Sequence, residues 1–243
     1  IPNIPVAFKD ESGELIVTAT SFVDGSYSCA VNTGFYSLMI DTTMLGASIH
    51  ITCPSNNSFQ TVVSSEDILV QGGDFGLNCA GFDLGVQSIV SNGWVFPGET
   101  HELSILAGDL TAQYNMHCAS GISGEISVTV SGPGTVSFSG SPASISGNSV
   151  VYSIADFGAV NVSSFLATVL TDTTATAGEE FCVTVSVATN SSGESDITNN
   201  LYTYCYGVVN SYDPNIKETY PEMVEPGYTD EFTYTIHFQN TGN

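Results

Sequence analysis

The sequence predicts an all-β protein built of tandem β-sandwiches. Three observations carry this. Short runs in which Val, Ile, Thr, Tyr and Phe alternate with polar residues recur along the chain, among them ELIVTAT, GFYSLMI, ASIHITC, EISVTVS, SVVYSIA, FCVTVSV and LYTYCYGVV. Gly, Asn, Asp and Pro break these runs. No long stretch carries apolar residues at the i, i+3, i+4 spacing of a helix. A period of two gives a strand one apolar face, and many such strands between turn signals mean sandwiches or small barrels.

Residues 1–78 read as a first unit. The run VAFKDESGELIVTATSFVDGSYSCAV is strand, turn, strand, turn, strand, with Ser12-Gly13 and Asp24-Gly25 as turn makers. Asp10 and Glu11 are turn residues on the same grounds. NTGFYSLMI adds a strand after Gly34. The glycines of GGDFGLNCAGFDLGV (Gly72, Gly73, Gly76, Gly81) mark a boundary, and residues 79–209 form a second unit. Residues 210–243 are a linker and one further strand. In that strand Phe232, Tyr234, Ile236 and Phe238 fall on one face, and Glu231, Thr233, Thr235 and His237 on the other.

Composition narrows the function. Asp and Glu number 25, Lys9 and Lys217 are the only fixed cations, and the net charge is −23. Phosphate backbones and anionic lipids demand Lys and Arg, so nucleic acid is excluded as a partner, and so is an anionic membrane surface. No run of 18 apolar residues is present to span a bilayer. Salt bridges have little part in stability, which costs little because exposed pairs contribute little. Saline surroundings suit such a surface.

The six cysteines form no CxxC pair, so zinc-ribbon and thioredoxin readings fail. An even count in a Lys-poor, Ser/Thr-rich chain points to an oxidising, extracellular setting with up to three disulfides. A hairpin centred near Gly193 sets Cys182 and Cys205 opposite each other, within bonding reach. Cys53 and Cys79 are a second candidate pair, and Cys29 and Cys118 are left to rivet the two units together.

Two resemblances refine the reading. Pro5, Val6, Phe8, Asp24, Gly25, Tyr27, Gly34, Phe35 and Tyr36 match the pattern of prealbumin-like modules of the Cna-B and carboxypeptidase-regulatory kind. Those modules usually begin with a strand before the position of Pro5, so the resemblance implies a first unit one strand short. Further on stand Gly147-Asn148-Val150-Tyr152, Gly178-Phe181-Cys182, Asp196-Asn199-Asn200 and Ser211-Tyr212-Asp213-Pro214-Asn215-Lys217. They resemble the immunoglobulin-like repeats of type IX secretion cargo proteins and adhesins of the Bacteroidota. YTIHFQNTG (residues 234–242) is similar to the opening of that family's next module. Ile216 departs from the pattern, where a second Asp is usual. The resemblance implies a cell-surface protein, and O-linked sugars at Asp-Thr-Thr triplets make Thr42 and Thr173 candidates.

Catalysis finds no support. His50, His101, His117 and His237 are dispersed, and neither HExxH nor GxSxG occurs. No cofactor is called for. Ca²⁺ is weighed at Asp213 and Asn215, against the plainer and favoured reading of a rigid Asp-Pro turn.

An amphipathic strand is not stable alone in water. Three accounts of residues 232–238 stay open: the first strand of a further module, a donor strand for another copy, or an edge strand folded back on the second unit. In the donor account, each large apolar residue buried contributes roughly 1.5–3 kcal/mol before entropy. The expected function is an extracellular structural or adhesive protein, a filament subunit joined head to tail by strand complementation. The alternative is a non-catalytic stalk, or a carbohydrate- or protein-binding region. Its partners are copies of itself or neighbouring modules.

Overall fold

The computed structural model describes residues 1–43, 45–46, 48–66, 70–159, 163–209, 216–220, 231 and 233–237. The fold is all-β. Alternating runs become strands joined by turns, and among the described residues helix is confined to short 3-10 segments at Leu110–Tyr114 and Phe157–Ala159. Among the described residues no helix is long and apolar enough to cross a membrane.

The N-terminal sheets come from β1 (Pro5–Asp10), β2 (Leu15–Thr20), β3 (Gly34–Ile40), β4 (Ile49–Cys53), β5 (Ser58–Val63) and β6 (Gly76–Cys79). Four strands form an antiparallel sheet in the order β2-β1-β3-β5, and β4 pairs with β6 in a separate ribbon. The β1–β2 turn is built by Asp10, whose Oδ1 accepts from the Ser12 and Glu14 amides at 2.9 and 3.0 Å. Gly13 takes φ +86° there, the left-handed region that favours glycine. Val6, Phe8, Ala19, Tyr36 and Leu38 form the core on one part of the sheet. Ile4, Ile40 and Ile51 form a second cluster, which draws in Tyr114 and Met116 from farther along the chain.

A larger sandwich follows: β7 (Leu84–Asn92), β8 (Thr100–Asp109), β9 (Gly124–Ser131), β10 (Gly134–Phe138), β11 (Ser144–Ser146), β12 (Ser149–Ile154), β13 (Ser163–Thr171), β14 (Glu180–Thr189) and β15 (Leu201–Gly207). One sheet runs β10-β13-β8-β7 and the other β11-β12-β9-β14-β15. Period-two alternation sends Leu103, Ile105 and Ala107 of β8 inward. Ile126, Val128 and Val130 of β9, and Phe181, Val183, Val185 and Val187 of β14, do the same from the facing sheet. The two rows meet in one continuous core. Each such side chain contributes about 1.5–3 kcal/mol of transfer free energy.

Last come β16 (Ile216–Tyr220) and β17 (Thr233–His237), an antiparallel ribbon with Lys217 opposite Ile236 and Thr219 opposite Tyr234. Among the described residues β17 pairs with β16 and with no strand of the sandwich.

One expected strand differs. SYSCAV reads as the third strand of the first unit, yet residues 27–33 enter no sheet. The alternation itself is kept: Tyr27, Cys29 and Val31 turn toward the core, while Ser28 and Ala30 are exposed. Period two reports which face is apolar; it does not supply a neighbour to hydrogen-bond with.

Candidate functional site

The extended segment 27–31 borders a groove in the N-terminal sheets. Phe8, Tyr36, Leu38 and Val63 floor a groove of about 300 Å³, with residues 27–31 on one side and Val70 and Gly72 on the other. The segment is held by side chains. The Tyr27 hydroxyl donates to the Gly73 carbonyl, and the Tyr27 ring packs edge-on against Phe8 with centroids 6.2 Å apart. Burial, and then the Asp74 charge, push the Tyr27 hydroxyl above its ordinary pKa. Burial likewise pushes the Cys29 thiol up, so it behaves as a small apolar group rather than a nucleophile. Among the described residues that line it, none offers an acid, a base or an activated nucleophile; the groove can take apolar side chains.

The tail strand has matching chemistry. On β17, Tyr234 and Ile236 share a face and are 54% and 60% exposed. Phe232 and Phe238, their sequence-predicted companions, lie outside the described residues. So do Asp213 and Asn215, the sequence-predicted calcium candidates.

The cysteines correct part of the reading. Cys182 bonds Cys205 across directly paired positions of β14 and β15. Cys53 does not bond Cys79, and Cys29 does not bond Cys118; Cys79 bonds Cys118, and Cys29 and Cys53 are free thiols. The register explains it. Cys79 stands opposite Ile49, while Cys53 stands opposite Gly76 at the other end of the ribbon. Four residues of strand put the two roughly 13 Å apart, beyond disulfide reach. The bond that forms still ties the N-terminal sheets to the sandwich, with a different partner.

Thr42 and Thr173 are both exposed. Asp41 ahead of Thr42 is engaged in a turn, accepting from the Thr43 amide and hydroxyl at 3.1 and 2.6 Å.

Of the dispersed histidines, the fold buries His101. It continues the inward row of β8 and is buried. Its Nε2 shares a 2.8 Å hydrogen bond with the Tyr206 hydroxyl, and its Nδ1 has no partner among the described residues. Phe181 and Tyr206 meet the ring edge-on. Burial lowers the His101 pKa and raises that of Tyr206. The pair is a packed polar contact at the edge of the core. No three His, Cys, Asp or Glu side chains converge on a metal centre among the described residues.

No family model matches the chain, and no curated protein matches it. Solved structures do. The major pilin subunit BcpA of Bacillus cereus is 10% identical at a TM-score of 0.32, over 86% of this chain and 64% of the pilin. The chain thus spans under two thirds of that protein's length. A DUF3823 family protein from Bacteroides uniformis is 13% identical at 0.27, over 86% of this chain and 90% of that one. The major pilin SpaA of Corynebacterium diphtheriae is 7% identical at 0.24, over 83% and 63%. Likeness at this level says nothing of what this chain does.

Proposed function

We propose that the chain is a structural or adhesive protein of the extracellular surface, organised as modules 1–78, 79–209 and 210–243, and that copies join head to tail by strand complementation. The supporting observation is the segment 27–31. It is extended and alternates inward and outward like a strand, yet no ladder includes it among the described residues. A groove floored by Phe8, Tyr36, Leu38 and Val63 runs beside it. An incoming strand would supply the missing backbone partner and seat alternate side chains in the groove. The strand of residues 232–238 has that alternation, and Ile236 is exposed. Donor and groove are different surfaces, so the contact is heterologous and propagates as an open fibre. The acidic surface and the two disulfides suit a saline, oxidising setting. The resemblance to type IX secretion cargo points the same way.

A second reading has its own support. β17 already pairs with β16, as the first ribbon of a further module would. The chain is then part of a stalk. Electron microscopy and light scattering of the purified chain separate the two. Under the filament reading the native chain forms fibres, Ile236→Asp abolishes them, and Thr61→Trp at the groove wall abolishes them from the acceptor side. A native chain that stays a single copy at high concentration, or fibres that survive Ile236→Asp, overturns the filament reading.

A further inference from the structure

A second cavity, of about 280 Å³, opens beside the groove, and Tyr27 lines both. Ile4, Val6 and Ile40, all buried, form its floor. The rings of Tyr27 and Phe75 wall it, with centroids 6.3 Å apart. Its floor continues the floor of the groove. Val6 and Phe8 are alternate residues of β1, and Ile40 and Leu38 are alternate residues of β3, so roughly 7 Å of strand separates one pair from the next. The Asp24-Gly25 turn, just ahead of the segment 27–31, borders the cavity. A strand laid along 27–31 and prolonged toward residue 24 therefore passes from the groove to the cavity.

The mouth of the cavity is acidic. Asp24 and Asp74 both line it, and both are exposed. Asp24 spends its Oδ1 on the Ser26 amide and hydroxyl, at 2.9 and 2.6 Å. Asp74 lies near enough to Tyr27 for its charge to oppose ionisation of that hydroxyl. Neither carboxylate has a lysine partner among the described residues. An apolar floor, two aromatic rings and two carboxylates at the rim suit one kind of group, an ammonium on an aliphatic stem. The stem lies on the floor, and the head stays at the wet rim between the carboxylates and the rings. At this volume the cavity suits a single side chain rather than a larger ligand.

The chain has two lysines to offer against 25 acidic side chains. Lys9 lies on β1 of the receiving sheet itself, where its charge acts on Asp41. Lys217 stands on β16, directly opposite Ile236 of β17. Cross-strand partners share a face, about 5 Å apart. The ribbon thus sets a cation next to an exposed apolar residue, and the N-terminal sheet sets two carboxylates next to an apolar groove. Two copies that each carry a net charge of −23 repel, so a contact between them needs opposite charges placed where they touch. We propose that Lys217 of one copy enters the cavity of the next, its ammonium between Asp24 and Asp74, while alternate residues of β17 fill the groove. The inference rests on the filament reading and adds a register to it. Apolar side chains alone tolerate a slip of two residues along the groove; a slip takes Lys217 away from the carboxylates.

The test is a charge swap in the intact chain, read by light scattering and electron microscopy as the concentration at which fibres form. Lys217→Glu is expected to raise that concentration about tenfold or more, because like charges then meet at the contact. Lys9→Glu changes the net charge equally and should shift it less than about twofold. Asp74→Lys should also raise it about tenfold, although it lowers the repulsion between copies overall. Asp74 makes no hydrogen bond, so the fold does not depend on it. Lys217→Glu and Asp74→Lys together should return assembly to within about threefold of the native chain, and the single-variant defects should shrink in about 1 M NaCl. Native fibres that Lys217→Glu leaves unchanged, or a double variant as impaired as its two changes added, overturn the pairing; if Ile236→Asp still abolishes those fibres, the filament reading stands without it. A native chain that forms no fibres overturns both.

Discussion

The sandwich of β7–β15 and the sheets of β1–β6 close their cores by different means. In the sandwich, apolar rows of two hydrogen-bonded sheets meet, and Phe181, Val183, Val185, Leu103 and Val169 are almost wholly buried. In the N-terminal region one part of the four-stranded sheet is covered by the β4–β6 ribbon through Ile51, and the part around Phe8 and Leu38 by residues 27–31, which make no ladder, with Phe59 and Phe75 packed 5.1 Å apart beside them. A sheet fixes its cover through many backbone bonds at once. A lone segment depends on a few side chains, so a groove stays open. The difference makes the sandwich the stable body and the N-terminal sheet the face able to receive another strand.

The largest effects should fall in the sandwich. Phe181→Ala removes a fully buried ring, and about 3–5 kcal/mol of stability is expected to go. Leu38→Ala makes a hole next to an existing groove, so the loss should sit near the lower end for Leu, ~2 kcal/mol. Denaturant titration of both variants measures this. Equal losses would mean that the N-terminal core is closed as tightly as the sandwich.

The disulfides sharpen the contrast. Loop closure over sequence separations of 23 for Cys182–Cys205 and 39 for Cys79–Cys118 gives similar entropic terms, about 3.5 and ~4 kcal/mol. Their positions differ. Replacing Cys182 and Cys205 by Ala should lower the sandwich's own transition. Replacing Cys79 and Cys118 should split unfolding into two steps, with the N-terminal sheets melting first. A single calorimetric transition in the second variant would show that packing at Tyr114 and Met116 suffices to couple the two.

How much was legible follows the same divide. In the sandwich, alternation is both the sequence signal and the packing rule, so EISVTVS and FCVTVSV read directly as the facing strands β9 and β14. The hairpin that joins β14 to β15 places Cys182 opposite Cys205 from chain spacing alone. Residues 27–31 carry equally good alternation, but the lack of a partner is a tertiary fact. The Cys79–Cys118 bond depends on how two sheet systems dock, which no local spacing encodes. The buried Asp83 accepts from Asn199, far along the chain, and Asn199 drew notice only within a family pattern. His101 looked like one of several scattered histidines until β8 placed it in the inward row.

That histidine provides a smaller, pH-dependent test. Burial holds the folded His101 pKa below its ordinary 6.5, so the unfolded chain binds the proton more readily. The sign follows: its contribution is complete above about pH 6.5 and is lost as the pH falls toward the folded pKa. The groups packed on it, Phe181 and Tyr206, carry no negative charge at these pH values to rescue an imidazolium. The sandwich transition should therefore weaken between pH 7.5 and 5, and His101→Gln should flatten that slope. A slope unchanged in the variant would assign it to carboxylates instead.

The smallest effect separates the regions at lower pH. Asp10, Asp24 and Asp41 in the N-terminal region, and Asp196 in the sandwich, each accept from the hydroxyl two residues on, in Ser12, Ser26, Thr43 and Thr198. Those bonds hold each carboxyl below its ordinary 3.8. Stability from a depressed carboxyl is present above the unfolded pKa and lost as pH falls through the folded one. All four lie at the surface, where water and salt screen the gain. Three of the four lie in the N-terminal region, so below about pH 4 its melting temperature should drop slightly faster than that of the sandwich. The order then reverses with acidity: the sandwich responds first, through one buried imidazole, and the N-terminal sheets later, through their turns. Substituting Asn at positions 10, 24 and 41 together should remove the second response and leave the first; loss of both would mean that the two regions do not titrate independently.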